Sequence, residues 1–351
     1  MMRINRVVAA LVAAGLTAGV ASAPSADARS SEARTKALRG ILVLDQFVDL
    51  DFSASRIVIA DADGDNARPL SHPSAGYYDI DADVSPDGAR VAYERDAPDG
   101  IATIRVVRTD GTGDHALDLG CTGHCDSDLS PAWTPDGHHL VFTRVVGPYS
   151  DGNAASAVFW KTNLSGTHIT RVSQTGIDGV FEDYYASFAP AGYMVFVRLR
   201  NADFHSAIFR MNLDGSHLIR LTPWSLNADL ADVSQATSGP TKNTVVFETY
   251  GHGAPDGVSS AVATVSATCC LHKPRTIHYL TPQADLPRMS FNPSWSPDST
   301  HIAFTRFRFN ETTQRVFGDI WVMRWNGEGK HAVVNSDLFE YRSDWGPSPL
   351  S

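Results

Sequence analysis

The chain has 351 residues, 43% of them hydrophobic and 19% charged, with a formal net charge of −10. That is long and apolar enough for one large or two ordinary domains, and it excludes a disordered or collagen-like polymer. The acidic balance argues against a nucleic-acid partner.

In chain order, Met1 to Arg6 form a basic stretch and Val7 to Val20 an apolar run too short for a standard membrane span. Small residues follow, and Ala26-Asp27-Ala28 offers a cleavage site that leaves Arg29 first. Residues 1–28 are expected to be a signal peptide, 29–40 a linker and 41–351 the folded domain. The mature chain would then be secreted, periplasmic or held in the cell envelope, with no transmembrane helix.

The folded part opens with two expected strands, Ile41-Leu42-Val43-Leu44 and Arg56-Ile57-Val58-Ile59-Ala60. A short pattern of the form S/W-x-P-D-G, followed by an alternating strand, then recurs. Its copies are Val84-Ser85-Pro86-Asp87-Gly88, Trp133-Thr134-Pro135-Asp136-Gly137, Phe188-Ala189-Pro190-Ala191-Gly192 and Trp295-Ser296-Pro297-Asp298-Ser299. A degenerate copy lies at Pro240 and a last one at Trp345-Gly346-Pro347, so the prolines recur at intervals of about 50 residues. Proline presets φ at the entry to each bend, and Asp-Gly accepts the reversal. A second turn falls between copies, at Asp63-Gly64, Asp110-Gly111, Ser165-Gly166, Asp214-Gly215 and Asn326-Gly327.

Two hairpins per repeat make a four-stranded blade, and the fold class expected is all-β, a six-bladed β-propeller. The last proline hairpin lacks partner strands and the N-terminal strands lack an inner one. The N- and C-terminal strands are therefore expected to close the ring within one blade.

These hairpins, with strand ends such as Ile219-Arg220-Leu221-Thr222 and Tyr279-Leu280-Thr281, resemble those of the TolB-like propeller family, a WD-repeat-like architecture. The resemblance covers Ile41 to Pro347 and implies a binding role. The repeat is also similar to that of propeller lyases that cleave pectic oligosaccharides, which implies a metal held by loop histidines. His72, His124, His205 and His252 are the candidates.

In such a blade the first-to-second and third-to-fourth turns lie at one end, where they are short. The long connections lie at the other end, and a protein or small ligand is expected there. The starts of the innermost strands cluster acids and phenols at that end: Tyr78, Asp79, Asp81, Asp128, Asp183, Tyr184, Asp232, Tyr341 and Asp344. They could converge at a channel mouth on a cation, a sugar or a basic peptide. They could equally form ion pairs within each blade with Arg95, Arg144, Arg198 and Arg306. No resident cofactor is expected, though a divalent cation at the mouth stays open. Asp79-x-Asp81-x-Asp83 is a metal candidate, while Asp61-x-Asp63-Gly64-Asp65 reads as a hairpin turn, since neither run has the terminal Glu of an EF-hand.

Of the four cysteines, Cys121 and Cys125 are expected to form a local disulfide in an exported chain rather than a thiolate metal site with His124. Cys269 and Cys270 are open between a vicinal disulfide and reduced thiols. The chain carries no G-x-S-x-G, H-E-x-x-H or G-x-x-x-x-G-K-[ST] motif. The leading functional expectation is thus a non-enzymatic exported binding or scaffold protein. The alternative is a polysaccharide-active lyase or hydrolase with an acidic and aromatic site.

Overall fold

A computed structural model describes residues 38–121, 125–147, 156–174, 177–250, 260–268, 275–282, 289–310 and 315–349. The expected signal peptide, most of the expected linker, Cys269, Cys270, His124 and His252 lie outside them.

The described chain is almost wholly β, in two eight-stranded and two four-stranded sheets; each eight-stranded sheet is two antiparallel sets of four strands joined by one parallel contact, at Ser55–Tyr78 and Ala157–Glu182, so the strands are taken below as six successive units of four. Unit 1 holds β1 (Ile41–Phe47), β2 (Ser55–Asp61) and β3 (Arg68–Pro69). Unit 2 holds β4 (Tyr78–Val84), β5 (Arg90–Asp96), β6 (Ala102–Arg108) and β7 (His115–Ala116). Unit 3 holds β8 (Cys125–Trp133), β9 (His139–Val146), β10 (Ser156–Asn163) and β11 (Thr170–Arg171). Unit 4 holds β12 (Phe181–Phe188), β13 (Tyr193–Arg200), β14 (His205–Asn212) and β15 (Ile219–Arg220). Unit 5 holds β16 (Ala228–Val233), β17 (Thr244–Tyr250), β18 (Ser260–Ser266) and β19 (His278–Tyr279). Unit 6 holds β20 (Ser290–Trp295), β21 (His301–Asn310), β22 (Arg315–Arg324) and β23 (His331–Val334).

The last strand, β24 (Glu340–Gly346), supplies the missing first strand of unit 1, giving the order β24-β1-β2. Ile41 pairs with Gly346 and Val43 with Asp344, so the two chain ends share one sheet.

The turn chemistry accounts for the repeat. Ser85 donates its hydroxyl to Asp87 Oδ1 (2.5 Å) and accepts the Arg90 N–H (2.9 Å). Thr134 with Asp136 and Ser296 with Asp298 repeat the side-chain contact at 2.7 Å. In these three copies the residue directly before the proline closes the bend with its hydroxyl, whereas Ala189 before Pro190 has none to give; the left-handed fifth position is glycine in Gly88 (φ 70°) but serine in Ser299 (φ 56°).

Packing follows from alternation along each strand. In β1, Ile41 and Val43 join a core with Val91, Tyr93 and Val107 of unit 2. Leu42 and Leu44 join another with Ala303, Ile320 and Val322 of unit 6. Both faces are covered, which is why all seven residues of β1 are buried. Equivalent cores lie between units 2 and 3, 3 and 4, 4 and 5, and 5 and 6. The third-to-fourth-strand turns pack outward in the same sense. A Cβ on Gly215 (φ 80°) would sit 2.6 Å from the Val172 carbonyl of unit 3, and one on Gly64 (φ 89°) 1.8 Å from the Val333 carbonyl of unit 6.

Candidate functional site

The six first strands β4, β8, β12, β16, β20 and β24 share a local irregularity that builds the site. Each shifts register against its neighbour, between Ile80 and Asp83, Leu129 and Ala132, Tyr184 and Ser187, Asp229 and Asp232, Phe291 and Ser294, and beside Arg342; β8 has a second shift between Cys125 and Ser127. At each bulge one non-glycine residue takes a left-handed φ: Asp81, Ser130, Tyr185, Leu230, Asn292 and Arg342, all between 40° and 56°. Such conformations carry strain and recur at functional positions. The bulges converge on a cavity of about 80 Å³ lined by residues of all six strands, among them Asp83, Asp232, Ser294, Arg342, Ser343 and Asp344.

Arg342 spans the head of this cavity. Its guanidinium pairs with Asp81 and lies 4.4 Å from the ring centre of Tyr185, three units away. Ser130 donates to Asp81 Oδ2 (3.0 Å), and the Asp81 N–H points to Asp45 Oδ2 (3.3 Å). Burial, reinforced by Asp81, holds the Asp45 carboxyl well above the usual carboxylate range.

Below Arg342, three carboxylates occupy equivalent positions in three units. Asp344 Oδ2 accepts the Val84 N–H (2.9 Å), Asp83 Oδ2 the Trp133 N–H (2.6 Å) and Asp232 Oδ2 the Trp295 N–H (2.6 Å). Asp232 also accepts the Ser187 hydroxyl at 2.6 Å. Each bond joins one unit to another. Burial and then Asp344 hold Asp83 well above the carboxylate range, while burial and Asp232 push Asp344 up to about 7. Burial raises Asp232 as well.

The acids at the opposite strand ends are distributed differently. Asp79 is gripped by Arg95 through Nε (2.5 Å) and Nη2 (2.7 Å), Asp128 by Arg144 (2.8 and 2.9 Å), and Asp183 by Arg198 (2.6 and 2.8 Å). In the fifth unit the register sets Asp229 against Glu248, acid against acid, and burial with Asp229 drives Glu248 to about 8. In the sixth, Ser290 stands opposite Arg306, whose guanidinium lies over Trp321 (4.9 Å). The run Asp79, Asp81, Asp83 is therefore split among an arginine clamp, the Arg342 cluster and the cavity.

Among the other sequence candidates, Tyr78 donates to the Phe52 carbonyl (2.9 Å), Tyr184 donates to Glu182, and Tyr341 packs with Phe291 and Phe339. His205 meets Asn227 Oδ1 (2.7 Å), whereas His72 lines a separate groove of about 420 Å³ with Tyr77, Arg95, Ile101 and Arg105. These two histidines share neither cavity. Cys121 and Cys125 form a disulfide with Cα atoms 5.1 Å apart, and Arg144 Nη2 reaches the nearby Leu119 carbonyl (2.8 Å).

Asp83 entered the sequence reading only as the last member of the Asp79-x-Asp81-x-Asp83 run, and Ser294, Arg342 and Ser343 were not singled out from sequence. A signal existed: Asp83, Ser187, Ser294 and Asp344 each stand three residues before a motif proline. Only the bulge turns that position toward the cavity.

The chain is similar in structure to TolB from Acinetobacter baumannii, with a TM-score of 0.62 at 18% identity, over 88% of this chain and 67% of that one. The fold is TolB-like. A protein assigned as TolB from Agrobacterium tumefaciens matches with a TM-score of 0.55 at 14% identity, over 88% of this chain and 99% of that one. Hydrazine synthase from Kuenenia stuttgartiensis matches with a TM-score of 0.65 at 12% identity, over 89% of this chain and 47% of that one. At these identities the TolB likeness is one of fold. The sequence matches no protein-family model and no curated protein. Among the described residues no helix is long and apolar enough to cross a membrane.

Proposed function

We propose that the chain is an exported, closed six-bladed TolB-like β-propeller that acts as a non-enzymatic binding protein, docking a protein partner on the end opposite its proline turns. The observation that carries the docking face is the placement of exposed apolar side chains. Of the five exposed large apolar side chains among the described residues, Ile101 (48% exposed), Val180 (51%) and Phe204 (44%) belong to connections at that end, whereas Trp325 lies in the turn after β22 at the proline-turn end. The Asn201 N–H bonds to the Val180 carbonyl, which joins the two connections that carry Val180 and Phe204. Beside them Phe181 stacks on Trp224 with centroids 6.0 Å apart, and Arg200 covers the Trp224 ring at 4.7 Å. Apolar and aromatic anchors ringed by arginine suit a protein surface.

Other features support the remaining parts of this reading. The core between units 6 and 1, and the contact of Gly64 with Val333, favour a closed ring in which residues 41–351 act as one domain. The Cys121–Cys125 disulfide and the basic-then-apolar start favour export through a signal peptide at 1–28. The arginine clamps on Asp79, Asp128 and Asp183 favour binding over catalysis, because a carboxylate held by a bidentate guanidinium is a poor proton carrier.

A photo-crosslinking residue at Phe204, compared with one at Thr112 on the opposite end, tests the reading in the source cell's envelope. A discrete protein adduct from position 204 and none from position 112 is expected. Adducts independent of position, or bond cleavage in a glycan panel by the purified protein, overturn it.

A further inference from the structure

The cavity below Arg342 is a charge imbalance with fixed geometry. Asp83 and Asp344 are positioned by backbone N–H groups of Trp133 and Val84. Those donors orient a carboxylate but cancel none of its charge. Asp232 adds a third carboxylate, anchored by Trp295 N–H and the Ser187 hydroxyl, which are also neutral. Arg342 is the one basic residue in the lining, and its guanidinium is engaged by Asp81 and Tyr185. A second, independent observation points the same way. Ser294 and Ser343, 4% and 5% exposed, line the cavity, and their hydroxyls have no hydrogen-bond partner. Buried polar groups without partners are costly and call for water or a ligand.

We propose that this cavity is a site for a hard divalent cation of the calcium kind, held by the Asp83 and Asp344 carboxylates, with the Ser294 and Ser343 hydroxyls completing the shell directly or through water. The donors are all oxygens, and the lining holds neither histidine nor cysteine, which disfavours zinc and copper. Six strands contribute to the lining, and calcium tolerates irregular coordination where magnesium demands a near-ideal octahedron. The volume of about 80 Å³ admits an ion with some of its water. The ion would tie unit 1 to unit 2 at the ring's centre, so binding and the stability of the closed form are linked. This site is distinct from the docking end and stands or falls independently of it.

The test is a calcium titration of the chelator-treated protein near pH 8, read by unfolding temperature and by competition with terbium luminescence. Saturable binding of one ion per chain and a rise of several degrees in unfolding temperature are expected, with magnesium and sodium much weaker. Asp83→Asn with Asp344→Asn keeps both N–H acceptors and should lower calcium affinity at least about tenfold, whereas Asp63→Asn in an exposed turn should not. If the double variant does not fold, the wild-type protein decides: calcium affinity must fall as the pH drops from about 8 to about 5.5, because protons compete for the same oxygens. Absence of saturable binding, wild-type affinity in a folded D83N/D344N protein, or pH-independent affinity each overturns the site.

Discussion

Asp344 in the last strand accepts the backbone N–H of Val84 at 2.9 Å, a bond between residues 260 positions apart. It joins unit 1, which the chain completes last, to unit 2. Beside it Gly346 leaves no room for a side chain, since a Cβ there would lie 2.3 Å from Val84 Cβ. Trp345 also donates from Nε1 to the Arg39 carbonyl (2.8 Å). The end of the chain is thus held by both neighbours of its strand.

Deleting Asp344 to Ser351 removes these contacts and part of the strand paired with β1. The truncated protein is expected to unfold at a sharply lower temperature and to aggregate, because β1 becomes an exposed apolar edge. Gly346→Ala alone should lower the unfolding temperature by overpacking, at a cost of about 1–3 kcal/mol. An unchanged temperature for the truncation, measured by differential scanning fluorimetry, would contradict ring closure by the chain ends.

Arg198 and Asp183 are both buried and joined by two hydrogen bonds, and Ser173 donates to Asp183 at 2.7 Å. Arg198→Met leaves a buried carboxylate without its counter-charge and should cost about 3–5 kcal/mol. Asp183→Asn in the same background should recover part of that loss. Urea unfolding of the two variants provides the comparison.

The pH dependence follows from the raised acids. Asp344 at about 7 and Glu248 at about 8 bind protons more tightly folded than unfolded. Their contribution to stability is full below the unfolded carboxylate range and is lost as the pH rises through those values. Asp136, held near 2 by hydrogen bonds and His139 against the opposing cost of burial, works in the opposite sense and loses its contribution only in strong acid. In metal-free buffer, stability should therefore decline from about pH 5 to about pH 8. Glu248→Gln should flatten the slope, and a slope of unchanged steepness would show that Glu248 does not titrate there.

The disulfide closes a very short loop, so its removal should have a limited effect. Cys121→Ser with Cys125→Ser is expected to cost about 2 kcal/mol from loop entropy. A larger loss in chemical denaturation would mean that the bridge also holds the Arg144 contact to the Leu119 carbonyl in place.

The sequence by itself determined the repeat, because turn chemistry is local. Pro86-Asp87-Gly88 and its copies specify their bends through φ preferences and hydrogen bonds spanning a few residues. The strands read as alternating for the same reason, and the pairing of Cys121 with Cys125 needed only proximity along the chain. What the tertiary structure decided is which acids have partners. Asp79 and Asp229 look alike in sequence, at the start of a first strand, yet register gives one Arg95 and the other Glu248. Asp83 and Asp344 share a cavity only because a left-handed residue in each strand redirects the chain and because the ends of the chain meet. Charge balance at a point depends on every group around it, and those groups come from all six units.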